Sequence, residues 1–295
     1  MKEDFFFLPK LLYLISTLAQ QQRTIITTFY VMIMLCCSTQ WAIANTLFFY
    51  NPESNINDFR SLKSLFDTYL QTQGKHIFQP FDKKERFENF LDQNKTDIFL
   101  LSSWHYQDLV NQGHSNLKPL LVGTLDGGVT YTQVLSTKKN INNISELSGK
   151  RIASAMHQEY SLNLLKSMSK PNNIDVAFEI LTVPKDIDAL MSVLFGIAQG
   201  ALTARNSLTT LASINPKKAQ LLHPQLESQA MMLPMVVAYL PITQPTTQKL
   251  LAAIENMSDF PAGKEILGML GLNGWKKLTE TDRQQLIENY QLLTN

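Results

Sequence analysis

The sequence predicts an α/β protein built on parallel sheet, and three features lead there. Short apolar runs alternate with amphipathic helical stretches from about Thr46 onward. One run, Asp97–Leu101 (DIFLL), shows no polar alternation, as in a strand covered on both faces. The strand–helix–strand spacing suits right-handed crossovers between parallel strands.

The elements follow in order. Thr46–Tyr50 (TLFFY) reads as a strand that ends in a turn at Asn51-Pro52. Phe59, Leu62, Phe66, Tyr69 and Leu70 recur at helical spacing, so 57–72 is a helix, with Gly74 just past its end. A strand at His76–Gln79, a short helix around Phe87, Phe90 and Leu91, and the strand at Asp97–Leu101 complete the first units. Leu117–Thr124, Tyr131–Thr137, Lys150–Ser154 and Val176–Val183 read as further strands, and Ile187–Phe195 as a helix. Met232–Tyr239 is an apolar strand interrupted by Pro234. Pro245 and Pro261 open two helices, the second ending at Gly271. Thr279 and Asp282 have capping-box spacing for a last helix over 280–293. No long linker interrupts the pattern, so two domains would be joined by strands that cross between them, and such strands serve as hinges.

Before Thr46 the sequence has another character. Residues 24–37 (TIITTFYVMIMLCC) carry no charge, Arg23 precedes them, and Ala42-Ile43-Ala44 follows. A basic residue, a short apolar run and a small-x-small site are the parts of a secretory signal, and they place cleavage after Ala44. The run is short for a membrane span, which needs roughly 20 apolar residues. An uncleaved anchor is the competing reading, supported by a second apolar stretch at Phe5–Leu18; a start downstream of Met1 would also explain the long leader. Lipid attachment through Cys36 or Cys37 is disfavoured by the bulky Met34-Leu35 ahead of them. These are the only two cysteines, so cleavage would leave no thiol for a disulfide or a metal.

Composition excludes some function classes. The 26 basic and 25 acidic side chains nearly cancel, leaving no strong field to hold nucleic acid, though a locally basic patch is compatible with the count. No phosphate-binding G-x-x-x-x-G-K-(S/T) loop, G-x-S-x-G, H-E-x-x-H or calcium loop is present. The five histidines are scattered without metal-ligand spacing, so neither metal nor cofactor is expected.

Four segments, taken together, resemble a known family. Leu147-Ser148-Gly149-Lys150-Arg151-Ile152-Ala153 is similar to the L-x-G-K-x-(V/I)-A that starts the second lobe of many periplasmic solute receptors. Val193–Gln199 resembles the V-x-x-G-x-A-D segment of the phosphate, phosphite and phosphonate binding proteins of ABC transporters. Phe260–Leu267 looks like their P-x-G-K-x-I-L helix, and Leu270–Trp275 like the L-G-(I/L)-x-G-(F/W) that follows it. The resemblance implies a two-lobed Venus-flytrap fold, each lobe a mostly parallel sheet flanked by helices, joined by two crossing strands. Lobe one would hold 45–133 and 232–295, and lobe two 134–231. It further implies a periplasmic, monomeric receptor, not an enzyme, that closes on a small molecule and serves an ABC permease.

Family members rest an anionic phosphoryl group on a helix amino terminus lined by P-x-S-(S/T)-S-G. Here His157-Gln158-Glu159-Tyr160-Ser161-Leu162 stands in that place, with one hydroxyl of the trio kept and a carboxylate added. Gln199 replaces the acid of the second motif. A zwitterion, a cation or a neutral compound therefore suits the site better than a phosphonate, provided Glu159 faces the cleft. Each candidate also has a plainer role: Ser161 as an N-cap, Glu159 as a solvated first-turn acid, His157 as a turn cap, Tyr160 as packing. In lobe one, ligands of open α/β sheets bind beyond the carboxyl ends of strands, which points to Tyr50 and to Ser103, Trp104 and Tyr106 after Asp97–Leu101. Tyr131 lies at the approach to the hinge. Three other readings are open: a receptor feeding a membrane sensor kinase, a receptor that has lost its ligand, and an enzyme using His157 with Glu159.

Overall fold

The computed structural model describes residues 45–53, 59–170, 177–284 and 286. The proposed signal, both cysteines and most of the predicted last helix beyond Gln284 lie outside the described residues.

The first units form where the apolar periodicity puts them. Strand β1 (Thr46–Tyr50) leads through helix α1 (Phe59–Gly74) to β2 (Ile77–Pro80), and α2 (Lys84–Gln93) returns to β3 (Ile98–Leu101). Helix α1 buries Leu62, Phe66, Tyr69 and Leu70, the stripe read from the sequence. Phe66 stacks on Phe78 of β2 with ring centres 3.9 Å apart. Strand β1 pairs parallel with both β2 and β3. Segment 102–106, where the sequence places candidate contacts after β3, is the start of a helix. Ser102 accepts a hydrogen bond from His105 N (3.2 Å) and caps α3 (Ser103–Asn111) directly after β3.

Beyond α3 the chain adds β4 (Leu117–Thr124), the short β5 (Thr130–Tyr131) and β6 (Gln133–Lys138). Then come β7 (Arg151–Ser154), α4 (Gln158–Ser169), β8 (Glu179–Thr182) and α5 (Asp186–Leu194). Strand β9 (Gly200–Ala204), α6 (Arg205–Ile214), α7 (Pro216–Ala219) and β10 (Leu222–Glu227) complete this part. The β9–β10 stretch drew no assignment from sequence, because small residues such as Gly200, Ala201 and Ala204 give little periodic signal. The expected strand Met232–Tyr239 is two pieces, β11 (Met231–Met232) and β12 (Met235–Tyr239). Pro234 between them has no N–H to continue a ladder. Helices α8 (Pro245–Glu255) and α9 (Pro261–Met269) and strand β13 (Gly274–Lys277) follow. The Thr279–Asp282 capping box is present: Thr279 N donates to Asp282 Oδ2 (2.8 Å) and Asp282 N to Thr279 Oγ1 (3.2 Å).

The strands make two main sheets. One has six strands in the order β13-β4-β12-β3-β1-β2, and the other five in the order β10-β6-β9-β7-β8. The expected parallel character holds for β2-β1-β3 and for β9-β7-β8; the remaining pairings are antiparallel, so both sheets are mixed. The reason is the crossing path. The chain leaves the first sheet after β4 and comes back with β12, entering from the opposite direction. Between the two sheets β5 and β11 pair antiparallel, Tyr131 with Met231 and Thr130 with Met232, forming a two-stranded ribbon that links them. The first sheet carries an aromatic core including Phe48, Phe49, Phe66, Phe78, Phe87 and Phe99; the second is covered by smaller aliphatic clusters.

Gly263 explains one of the family-like segments. A Cβ there would stand inside van der Waals contact of the Met257 carbonyl, so α9 reaches its place only with glycine. Gly263→Ala is expected to cost about 1–3 kcal/mol through overpacking. Each ~1 kcal/mol lowers the thermal midpoint by about 2–4 °C, to be read by calorimetry.

Candidate functional site

The carboxyl ends of β1 and β3 meet the amino end of α4 of the second sheet. The turn after β1 supplies the central group. Asn51 Oδ1 accepts the Glu53 N–H at 2.9 Å, an Asx turn that holds the backbone as it leaves the sheet. Pro52 O then accepts the His157 N–H at 2.9 Å, joining the β1 turn to the N-cap of α4.

Glu53 carries its carboxyl into this junction. Tyr131 Oη donates to Glu53 Oε2 at 2.5 Å. The Ser102 and Tyr160 hydroxyls stand beside the carboxyl, close enough to favour its charged form. Oε1 is sealed from solvent and has no hydrogen-bond partner among the described residues. Burial outweighs the hydroxyls and pushes the carboxyl up to about 7. The Tyr131 and Tyr160 phenols are both raised well above their usual range, first by burial and then by the Glu53 charge. Nothing in the sequence reading pointed to Glu53. The signal was there: it lies three residues past Tyr50, beyond the same strand end.

Several expected residues gather around it. Tyr50 sits edge-on to His157, with ring centres 5.9 Å apart, and to His105 at 5.2 Å. Its phenol is pushed up to about 12 by burial, reinforced by the Glu159 and Glu88 charges. Trp104, at the start of α3, meets Tyr160 edge to face at 5.4 Å. Lys84 Nζ lies 5.4 Å from the centre of the Trp104 ring. That ammonium is engaged by Asp108 Oδ2 at 2.5 Å and by Glu88 Oε1 at 3.8 Å. Ser103 Oγ donates to Met232 O at 2.9 Å, tying α3 to β11 rather than presenting a free hydroxyl. His157 is held neutral by burial, which lowers its pKa. Glu159 is exposed in the first turn of α4, where a carboxylate suits the helix dipole, and it still feels the cleft through Tyr50 and Lys84.

Three expected residues sit elsewhere or act otherwise. Ser161 neither caps α4 nor reaches into the cleft. The helix opens three residues earlier, at Gln158, and the buried Ser161 Oγ donates to Ser154 Oγ at 3.0 Å. Tyr106 is buried in the core of the first sheet, its hydroxyl donating to Leu117 O at 3.3 Å. Gln199 precedes β9 at the edge of its sheet opposite the cleft, where its N–H donates to Arg151 O at 2.9 Å. The His157–Glu159 pair proposed for an enzyme has no hydrogen bond between its side chains among the described residues.

The arrangement joins two sheets through a ribbon and brings a buried carboxyl, three tyrosines, a tryptophan and a neutral histidine to one junction. No curated protein matches the sequence. Solved structures do share the fold. A Xanthomonas citri protein bound to ATP aligns with a TM-score of 0.61 at 13% identity, covering 85% of this chain and 97% of its own. A binding-protein component of an ABC phosphonate transporter from Pseudomonas aeruginosa aligns at 0.60 and 14% identity, covering 84% and 87%. PhnD1 from Prochlorococcus marinus, in complex with methylphosphonate, aligns at 0.60 and 14% identity, covering 85% and 98%. The family described as ABC transporter, phosphonate, periplasmic substrate-binding protein matches residues 49–283. The chain therefore belongs to the periplasmic substrate-binding proteins of phosphonate ABC transporters, two-lobed extracytoplasmic receptors that hold a small solute between their lobes for a membrane permease.

Proposed function

We propose that this receptor captures a small solute bearing a protonated amine, a cation or a zwitterion, and that Glu53 is the group that recognises it. One observation carries the proposal: the buried Glu53 Oε1 has no hydrogen-bond partner in place among the described residues, with only the Ser102 and Tyr160 hydroxyls beside the carboxyl. An ionised carboxylate in that position is costly unless a donor or a cation meets it. An ammonium supplies both. Tyr50, Trp104, Tyr131 and Tyr160 offer π-faces and hydroxyls around it, which favour a cation further.

The same groups argue against the ligands of the structural relatives. PhnD1 was solved with methylphosphonate and the Xanthomonas protein with ATP, both anions. In this chain Glu53 and Glu159 would stand near such an anion, and like charges in a cleft of low dielectric repel. Lys84, the cation beside Trp104, is already shared between Asp108 and Glu88. The hydroxyl trio that would cradle a phosphoryl group is reduced to Ser161, which is bonded to Ser154. We place the lobes at 45–133 with 232–295 and at 134–231, with the hinge in the β5–β11 ribbon. The ligand leaves chemically intact, as expected of a family of transport receptors and not of enzymes.

Two outcomes are expected. The first is ligand class. In a thermal-shift and calorimetric screen, small amines and amino acids should include a binder, while methylphosphonate and phosphate give no shift. A ligand at a hundredfold its Kd adds about 2.7 kcal/mol to stability. Glu53→Gln should weaken the amine at least about tenfold, since a hydrogen bond to a charged group contributes about 1.5–3 kcal/mol. Tight binding of methylphosphonate with no response to any amine contradicts the proposal.

The second outcome is pH dependence. A carboxyl raised on folding favours the protonated form. Its contribution is therefore complete below the ordinary carboxylate range and is lost as pH rises toward about 7. Glu53→Gln, which imitates the protonated acid, should be more stable than the natural protein at pH 8 and should lose that advantage near pH 4. Parallel melting curves at both pH values would contradict this.

A further inference from the structure

We propose that the end of the second lobe opposite the cleft is a docking surface for an anionic phospholipid bilayer. The topology assembles this surface. His157 and Tyr160 follow the carboxyl end of β7, at the cleft edge of the five-stranded sheet. The amino ends of β7, β8, β9 and β10 and the carboxyl end of β6 all lie on the other edge, since Leu222 pairs with Lys138 and Gly200 with Thr137 and Ile152. Helix α5 starts at the cleft edge and delivers its C-cap, Phe195, to the far one.

Three large apolar side chains stand out into solvent there: Phe195, Ile197 and Leu221 are 67%, 48% and 56% exposed. Three lysines are threaded among them. Lys218 Nζ lies 5.5 Å from the centre of the Phe195 ring. Lys138 Nζ comes within 4.0 Å of where a Cβ on Gly196 would stand, between Phe195 and Ile197. Lys139 N donates to Leu221 O at 3.3 Å. Among the described residues none of the three ammonium groups has a carboxylate within 4.0 Å. Beside them is a recess of about 250 Å³ bounded by Lys139, Asn142, His223 and Gln225. Its lining is mostly polar and carries one fixed cation, which suits a phosphate headgroup.

The mixture selects lipid over protein. Protein interfaces are depleted in lysine at their centres. Exposed Phe, Ile and Leu interleaved with lysines are the pattern of a surface lying on a membrane, where apolar groups enter the headgroup boundary and ammonium groups meet phosphates. The chain as a whole is almost neutral at +1, so the attraction is local to this end. An extracytoplasmic receptor lying on the bilayer by this end would stay close to a permease embedded in it.

The test uses the full chain and vesicles of phosphatidylcholine, alone or with an equal part of phosphatidylglycerol. Co-sedimentation should show at least about tenfold tighter binding to the anionic vesicles, weakening as salt rises. The triple variant Lys138→Glu, Lys139→Glu, Lys218→Glu should lose that preference. A control of equal charge change on the first lobe, Lys83→Glu, Lys118→Glu, Lys264→Glu, should keep it. Phe195→Ser, at an exposed position that leaves the core intact, should weaken anionic-vesicle binding without removing its salt dependence. Equal binding to both vesicle types, equal loss in the two triple variants, or a preference that survives the charge reversal would each overturn the proposal.

Discussion

A carboxyl group with one oxygen held by a phenol and the other without a partner among the described residues stands where the two lobes of this receptor meet. Tyr131, on the linking ribbon, holds Glu53 Oε2; Tyr160, on α4 of the second lobe, stands beside the carboxyl; the turn after β1 of the first lobe carries it there. Three parts of the fold, the first sheet's β1 turn, the linking ribbon and α4 of the second sheet, therefore converge on one titratable side chain. In a hinge-bending receptor, contacts made only when the lobes meet decide how far the equilibrium lies toward closure. Here such a contact is a buried acid, and its energy depends on whether it is neutral, charged and alone, or charged and paired. Recognition of a cation and closure of the lobes would thus act on the same atoms.

The rest of the architecture serves to place that group. Parallel strands β1 and β3 point their carboxyl ends the same way, so Tyr50, Glu53, Ser102 and Trp104 emerge on one edge without any long loop. The aromatic core under them, with Phe48 stacked on Phe99 and Phe66 on Phe78, makes that edge stiff. The second lobe answers with α4, whose amino end is fixed by the backbone bond from His157 to Pro52. The opposite edge of the same sheet is free of this task, and there the surface turns basic and apolar. One lobe thus presents two chemically different ends, set by strand direction alone.

Much of this was legible in the sequence. The parallel units around β1, β2 and β3, the stripe of α1, the two prolines that open α8 and α9, and the Thr279–Asp282 cap all follow from local periodicity and capping chemistry, which act over a few residues. What the sequence hid depends on the return path of the chain. The antiparallel pairing of β12 with β3 and β4 requires knowing that β12 comes back from the other lobe. Strand β9 is built of small residues whose burial comes from neighbours distant in sequence. The site divides the same way. Tyr50, Trp104, Tyr131, His157 and Tyr160 could be named from strand ends and helix starts. Glu53 follows Asn51-Pro52 with no local signal of its own, and only the packing of Tyr131 and Tyr160 over it makes it unusual. Tyr106 lies close to β3, but α3 turns it into the core, four residues past its cap.

The most direct measurement is a pH titration of the Glu53 carboxyl itself, followed by nuclear magnetic resonance on glutamate-labelled protein and assigned through Glu53→Gln. A carboxyl enclosed between the lobes is expected at about 7 in the free receptor and is expected to move down when an amine is bound. A titration in the ordinary carboxylate range, unmoved by any amine, would place Glu53 in water and contradict the account.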